Sequence, residues 1–275
     1  MVSWPERPVL VAPGPFAGAL RAAEVAGAIG RGLERAGLAP PDLCPLADGG
    51  AGTLEVLLLA LGGETIGAEV HDRSGQPLRA AFGLVEDGGT AVLEPVAAAT
   101  THATGELICA AAETGAQVVV LAAGGAAQSD GGADALAAID YRGGLHGARL
   151  VVLTGAGGGG GLAEMLRAVI GALLEPGAPW ILDALGFDAR MRAARAVVTG
   201  AGRLDERTLA GGLVGELGTR TRQAGVPLHA IVGSDALDGF GKRIIDLQVV
   251  LEAPDRAQVE AAAETLGRAL ADGSA

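Results

Sequence analysis

Short apolar runs that stop at a glycine turn and restart with helical spacing recur along this chain. Examples are "VLVAPGPFAG", "DLCPLADGGAGT", "RLVVLTGAGGGGG" and "AVVTGAGRLDE". A strand that is apolar on both faces needs cover on both, and a helix after each strand supplies it. The rhythm therefore predicts a mostly parallel α/β sheet. Aromatics are only 3% of a chain that is 49% hydrophobic, so the core must be built from Val, Leu, Ile and Ala. The 46 glycines follow no collagen period and gather at strand-to-helix turns, where backbone takes positive φ or comes close to a ligand.

Val9 to Ala12 reads as a strand and Leu20 to Arg35 as an amphipathic helix. A short strand, a glycine turn after Asp48 and a helix ending at Gly62-Gly63 come next. From "ETIGAEVHDRSGQPLRAAFGLVEDGGTAVLEPV" onward the pattern alternates, as in an antiparallel meander. A helix from about Thr104 to Glu113, the strand "QVVVLAAGG", the turn "AAQSDGG" and a short helix succeed it. "RLVVLTGAGGGGGLAEMLRAVIGALL" reads as strand, turn and helix, and the α/β rhythm runs on from Pro179 to a last helix, Arg256 to Leu270. The simplest partition is one discontinuous domain, residues 1–64 plus 178–275, with a second α/β domain, 65–177, inserted into it.

A net charge of −12 repels nucleic-acid phosphates and leaves room only for a local basic pocket holding a small anion. Cys44 and Cys109 are far apart and read as buried free thiols. No run is long and apolar enough to span a bilayer, so the expected location is cytoplasmic, with no membrane partner. A homodimer is compatible with the sequence.

"TGAGGGGGLAEM" fits G-x-G-x-x-G through Gly155, Gly157 and Gly160, with Glu175 at the distance of a ribose-binding acid. Glu175, however, reads as ending a helix before "PG". A five-glycine run also matches many patterns, so an anion-binding or hinge turn is preferred to a dinucleotide-binding oxidoreductase. Two Asp-Gly-Gly turns, at Asp48 and Asp130, stand at strand ends before helices. Each aspartate could accept a substrate proton or hold magnesium, or it could simply cap its helix. Arg203 suits a carboxylate or phosphate clamp, against the plainer reading of a surface pair with Asp205. Asp183, an acid in an apolar segment, needs a partner, either at a helix cap or on a substrate. The four histidines, His71, His102, His146 and His229, have no metal spacing, and a hydrolase elbow is absent.

The pieces "APGPFAGALRAAEVAGAI", "PLADGGAGT", "TGELI", "GGAAQSDGGA", "GAGGGGGL", "ILDALGFDARM" and "VVTGAGRLDERTL" stand in the order seen in type I glycerate kinases, and the chain resembles that family from about residue 9 to 235. The resemblance implies a Rossmann-like domain made of both chain ends with an inserted α/β domain. It also implies phosphorylation of D-glycerate, usually at the 2-hydroxyl, with ATP and Mg2+. Carried over residue by residue, it makes Asp48, Asp130 and Asp205 candidate catalytic groups and Arg203 and Asp183 candidate substrate ligands. Gly49, Gly50, Gly124, Gly125, Gly157 and Gly158 become candidate phosphate-binding positions. Metal ligands are not assigned, and the expected partner is a small organic acid.

The departures from the family pattern are systematic. Where the family reads Ala-Pro-Asp-Ser-Phe-Lys-Gly, this chain has Gly14, Pro15 and Ala17 for the aspartate, serine and lysine. Ala51 and Ala201 replace glutamates, Gly212 replaces a lysine, and Ala126, Gln128 and Ser129 replace serine, threonine and asparagine. A segment carrying Asp-Val-x-Asn-Pro-Leu is missing. Turn shape is kept while charge is removed, which favours either a kinase with a rearranged site or a homologue that binds without catalysis.

Overall fold

The computed structural model describes residues 7–16, 20–124, 129–156, 158, 160–209 and 211–273. In chain order these form β1 (Val9–Val11), α1 (Ala22–Arg35), β2 (Asp42–Leu43), α2 (Thr53–Leu61), β3 (Glu64–His71), β4 (Pro77–Val85) and β5 (Thr90–Leu93). Next come α3 (His102–Glu113), β6 (Val118–Gly124), α4 (Ala133–Tyr141), β7 (Arg149–Thr154), α5 (Gly160–Ile170) and β8 (Leu173–Pro176). The remainder is α6 (Gly177–Ala184), α7 (Phe187–Ala193), β9 (Ala196–Ala201), α8 (Glu206–Leu209), α9 (Leu213–Ala224), β10 (Leu228–Val232), α10 (Gly239–Ile245), β11 (Leu247–Glu252) and α11 (Arg256–Ala271).

The chain divides into two compact units, Met1–Ala47 with Ile181–Ala275, and Asp48–Trp180. The first carries a five-stranded sheet in the order β11-β10-β9-β1-β2, every pair parallel. Chain ends far apart in sequence thus share one sheet, as the α/β rhythm implies. Helix α1 covers it with Val25, Ile29 and Leu33, four residues apart on one face and fully buried. It starts at Ala22, two residues later than its spacing suggests. Leu20 is bridged to Phe16, and the Arg21 amide donates to the Glu24 carboxylate at 2.9 Å, which fixes the first turn.

The second unit holds six strands in the order β3-β4-β5-β6-β7-β8. The meander read from alternation is the antiparallel β3-β4-β5, and β5 then continues into parallel β6, β7 and β8. Strand β8 is a correction, because its residues had read as the end of α5. Gly171 at φ 71 stops that helix, and Leu173–Pro176 pairs with β7 in register Val151↔Leu173. The compact units part at Asp48, whereas the sequence partition sets its boundary at residue 65. Helix α2 lies on β4, where a Cβ on Gly83 would stand 2.7 Å from Leu54 and 3.0 Å from Leu58. Each unit has its own core, one around Leu93, Leu107, Leu121 and Val152, the other around Val11, Ile29, Val198 and Leu266.

Candidate functional site

In parallel sheets, loops after the carboxyl ends of the strands are where ligands bind. In the Asp48–Trp180 unit these loops interlock. The Asp48 Oδ1 accepts the Gly50 amide at 3.2 Å, closing a tight turn, and the side chain is exposed. Gly124, ending β6, donates its amide to the Gly49 carbonyl at 2.9 Å, and a Cβ on Gly124 would meet the Gly50 Cα at 2.6 Å. Gly49 in turn abuts Leu153 and Gly177, and a Cβ on Gly177 would lie 2.1 Å from the Asp48 carbonyl oxygen. These glycines are therefore required for backbone-to-backbone packing of the turns. At Gly158 (φ 87) a Cβ would meet nothing within 4 Å, and its amide donates to the Gly155 carbonyl at 2.9 Å. Gly125 and Gly157, like Ala17, Ala126 and Gln128, lie outside the described residues.

Asp130 is tied into the scaffold. Its Oδ1 accepts the Thr101 amide at 3.1 Å; its Oδ2 accepts the Asp134 amide at 3.1 Å, in the first turn of α4, and the Thr101 hydroxyl. Burial pushes its pKa up, but the hydrogen bonds from Thr101 and Asp134 outweigh this, and the net shift is downward. Thr101 is fully buried, and its hydroxyl oxygen also accepts the Ala135 amide at 2.9 Å. The capping role considered for Asp130 is thus realised. For α2 the cap comes from a residue that sequence reading missed. Glu94 Oε1, just beyond β5, accepts the Gly52 and Leu54 amides at 2.9 and 3.0 Å. A cap from forty-odd residues downstream has no local sequence signature.

Asp205, Arg203 and Asp183 belong to the other unit. Arg203 Nε pairs with Asp205 Oδ2 at 3.1 Å on the surface, and Asp205 Oδ1 accepts the Arg207 amide at 3.0 Å, capping α8. Asp183 has the partner its apolar surroundings call for. Arg220 Nη1 reaches it at 2.6 Å and reaches Asp188 at 3.2 Å, while Arg220 Nε holds Glu216 at 2.8 Å. Asp183 is exposed and near the end of α6, so it is not a buried N-cap. In the first turn, Gly14 donates to the Gly200 carbonyl at 2.9 Å and its missing Cβ would come 2.9 Å from Leu213 Cδ2. An apolar side chain presses on the position where the family carries an aspartate.

Glu175 lies on β8, so β7-α5-β8 does form a strand-helix-strand unit, contrary to its reading as a helix end. Cys44 and Cys109 are free and buried, and burial pushes both thiols up to about 11. Among the described residues no group of three or more His, Cys, Asp or Glu is placed to hold a metal, and no helix is long and apolar enough to cross a membrane.

Comparison with known proteins gives a consistent answer. The model of the glycerate kinase family matches residues 9–149 and 144–269. A glycerate kinase of Bacillus subtilis (strain 168) is 35% identical over 202 residues, covering 67% of this chain and 48% of that protein. A glycerate 2-kinase of Escherichia coli (strain K12) is 33% identical over 189 residues, 61% of this chain and 47% of that one. The matches thus span about half the length of these two relatives. In structure, a Salmonella typhimurium LT2 protein provisionally named glycerate kinase 2 superposes with a TM-score of 0.77 at 22% identity, covering 97% of this chain and 98% of that one, which establishes the likeness of fold. With the family match running over nearly the whole two-unit α/β chain, this protein belongs to the glycerate kinase family.

Proposed function

We propose that the chain transfers phosphate from ATP to D-glycerate, and does so slowly. The observation that carries the reading is the state of Asp48. It is exposed beside the interlocked turns at the ends of β6 and β7, and among the described residues only Oδ1 is used, by the Gly50 amide. Its second oxygen is available to take the proton of an attacking hydroxyl. Asp130, Asp205 and Asp183, by contrast, are each held by hydrogen bonds or an arginine.

Magnesium fits this donor set, since it is commonly held by one or two carboxylates together with substrate phosphates. Asp48 would hold it only in place of taking the hydroxyl proton, since its one unused oxygen cannot do both, and the ion would supply neutralisation of charge on the transferring group. The nucleotide's phosphates have no side-chain cation from the first turn, where Gly14 and Pro15 stand. Phosphoryl transfer rests on positioning and on neutralising developing charge. Each lost electrostatic partner costs roughly 2.7–4 kcal/mol of transition-state stabilisation. Binding of a small hydroxy acid with negligible transfer is the second reading, supported by the replacement of charged residues at Gly14, Ala51, Ala201 and Gly212.

The test is ATP-dependent phosphorylation of D-glycerate with Mg2+, run beside an active family member. Turnover below about 1 per second is expected, the lower end of the ordinary enzyme range. Asp48→Asn should lower what remains by about 100-fold, the lower bound for losing a proton acceptor. Wild-type turnover of order 10² per second would overturn the slow reading. An unaffected Asp48→Asn variant would remove Asp48 from its role. Glycerate binding by calorimetry without any transfer would select the second reading.

A further inference from the structure

One loop holds both Asp-Gly-Gly turns. Residues 94–101 lead from β5 to α3. At its start, Glu94 Oε1 accepts the amides of Gly52 and Leu54, at 2.9 and 3.0 Å, and so fixes the exit of the Asp48 turn into α2. At its end, Thr101 gives its amide and hydroxyl to the Asp130 carboxylate and accepts the Ala135 amide, fixing the second turn into α4. Between these anchors the Val96 amide donates to Thr104 Oγ1 at 3.0 Å, and the Ser129 hydroxyl donates to the Ala99 carbonyl at 3.2 Å. The loop is thereby tied to α3 behind it and to the Asp130 segment beside it.

Glu94 and Thr101 are matched to this task. A carboxylate at a helix N-terminus satisfies amides that have no partner within the helix and is favoured by the helix dipole. Hydrogen bonds with an ionised partner are about twice as strong as neutral ones. Thr101 is fully buried, and its hydroxyl both donates and accepts. We propose that Glu94 and Thr101 are positioning residues that couple the Asp48 and Asp130 turns through the β5–α3 loop, so that loosening either anchor loosens both turns. The coupling does not depend on the identity of the reaction. If the turns do carry phosphoryl transfer, Glu94 and Thr101 set the spacing of the acidic groups without touching substrate.

The test is amide hydrogen exchange on the full chain for the wild type, Glu94→Ala, Glu94→Gln, Thr101→Val and Thr101→Ser. Glu94→Ala should speed exchange at Gly52 and Leu54 about tenfold, the factor for one net hydrogen bond. The decisive expectation is at the far turn. Glu94→Ala should also speed exchange at Asp134 and Ala135, and Thr101→Val at Gly52 and Leu54, by a severalfold factor. Glu94→Gln and Thr101→Ser keep an acceptor and a hydroxyl respectively and should restore wild-type exchange at the opposite turn. Effects confined to each residue's own turn would overturn the proposal, leaving two independent caps. If Glu94→Ala or Thr101→Val fails to fold, the milder Glu94→Asp, which withdraws the carboxylate by one methylene, and Thr101→Cys, whose thiol is a weaker hydrogen-bonding group, take their place under the same cross-turn criterion. Absence of kinase turnover in the wild type would count against the kinase reading alone, because the exchange measurement needs no activity.

Discussion

His229 is the second residue of β10 with none of its surface exposed, and among the described residues neither ring nitrogen has a hydrogen-bond partner. Burial alone lowers its pKa from the ordinary histidine value to about 4. In the unfolded chain the ring takes a proton near pH 6.5, but in the folded chain only near 4, so between these values the unfolded state binds more protons and stability rises with pH. At about 1.4 kcal/mol per unit, acidification from pH 7 to 4 should cost up to about 3 kcal/mol through this residue. Denaturant unfolding of the wild type and His229→Leu across that range checks it, the variant lacking this component of the slope. An identical slope in both would show that the ring is hydrated or paired in solution. The sequence shows His229 without metal spacing. That its nitrogens face no partner follows from what β9 and the covering helices bring to it, and a neighbour such as Val198 comes from thirty-odd residues away.

At the scale of elements, the tightest contact in the first unit is α1 against α11. A Cβ on Gly32 would stand 2.3 Å from the Glu260 carbonyl oxygen and 2.5 Å from the Ala263 Cβ. The helices meet backbone to backbone there, with Arg31 Nε at 3.3 Å from Glu260 on the flank. Gly32→Ala improves intrinsic helix propensity by up to about 1 kcal/mol, yet must force the helices apart, at about 1–3 kcal/mol for overpacking. Net destabilisation is expected, read as a lower melting temperature, whereas Gly27→Ala, where the nearest atom is the end of the Arg31 side chain at 3.4 Å, should be neutral or stabilising. Both glycines look alike in "VAGAIGRGLER", and helical spacing identifies the face but not which position meets a neighbouring backbone. The same limit explains β8. "GALL" is too short for periodicity to separate a helix end from a strand, and β7 supplies the pairing that decides it.

At the scale of the whole molecule, residues 48–180 form one continuous stretch with a complete six-stranded sheet and its own core, whereas the other unit is assembled from both chain ends. The isolated 48–180 fragment should therefore fold, giving a cooperative thermal transition by circular dichroism, and residues 1–47 or 181–275 alone should not. A fragment 48–180 that stays unfolded would show that its core depends on the remainder of the chain. The sequence by itself determined the parallel α/β class, the antiparallel meander, the two-part organisation and the family, because strand periodicity, glycine stops and motif order are local and additive along the chain. It also located every acid considered for chemistry. Only the tertiary structure decided what those acids can do. Whether Asp48 keeps an oxygen unused among the described residues while Asp130 is enclosed by Thr101 and Asp134, and whether the exposed Asp183 finds Arg220, depends on groups delivered by other elements. A hydrogen bond acts over about 3 Å, whereas the residues that make these bonds lie up to dozens of positions apart, so no local pattern encodes them.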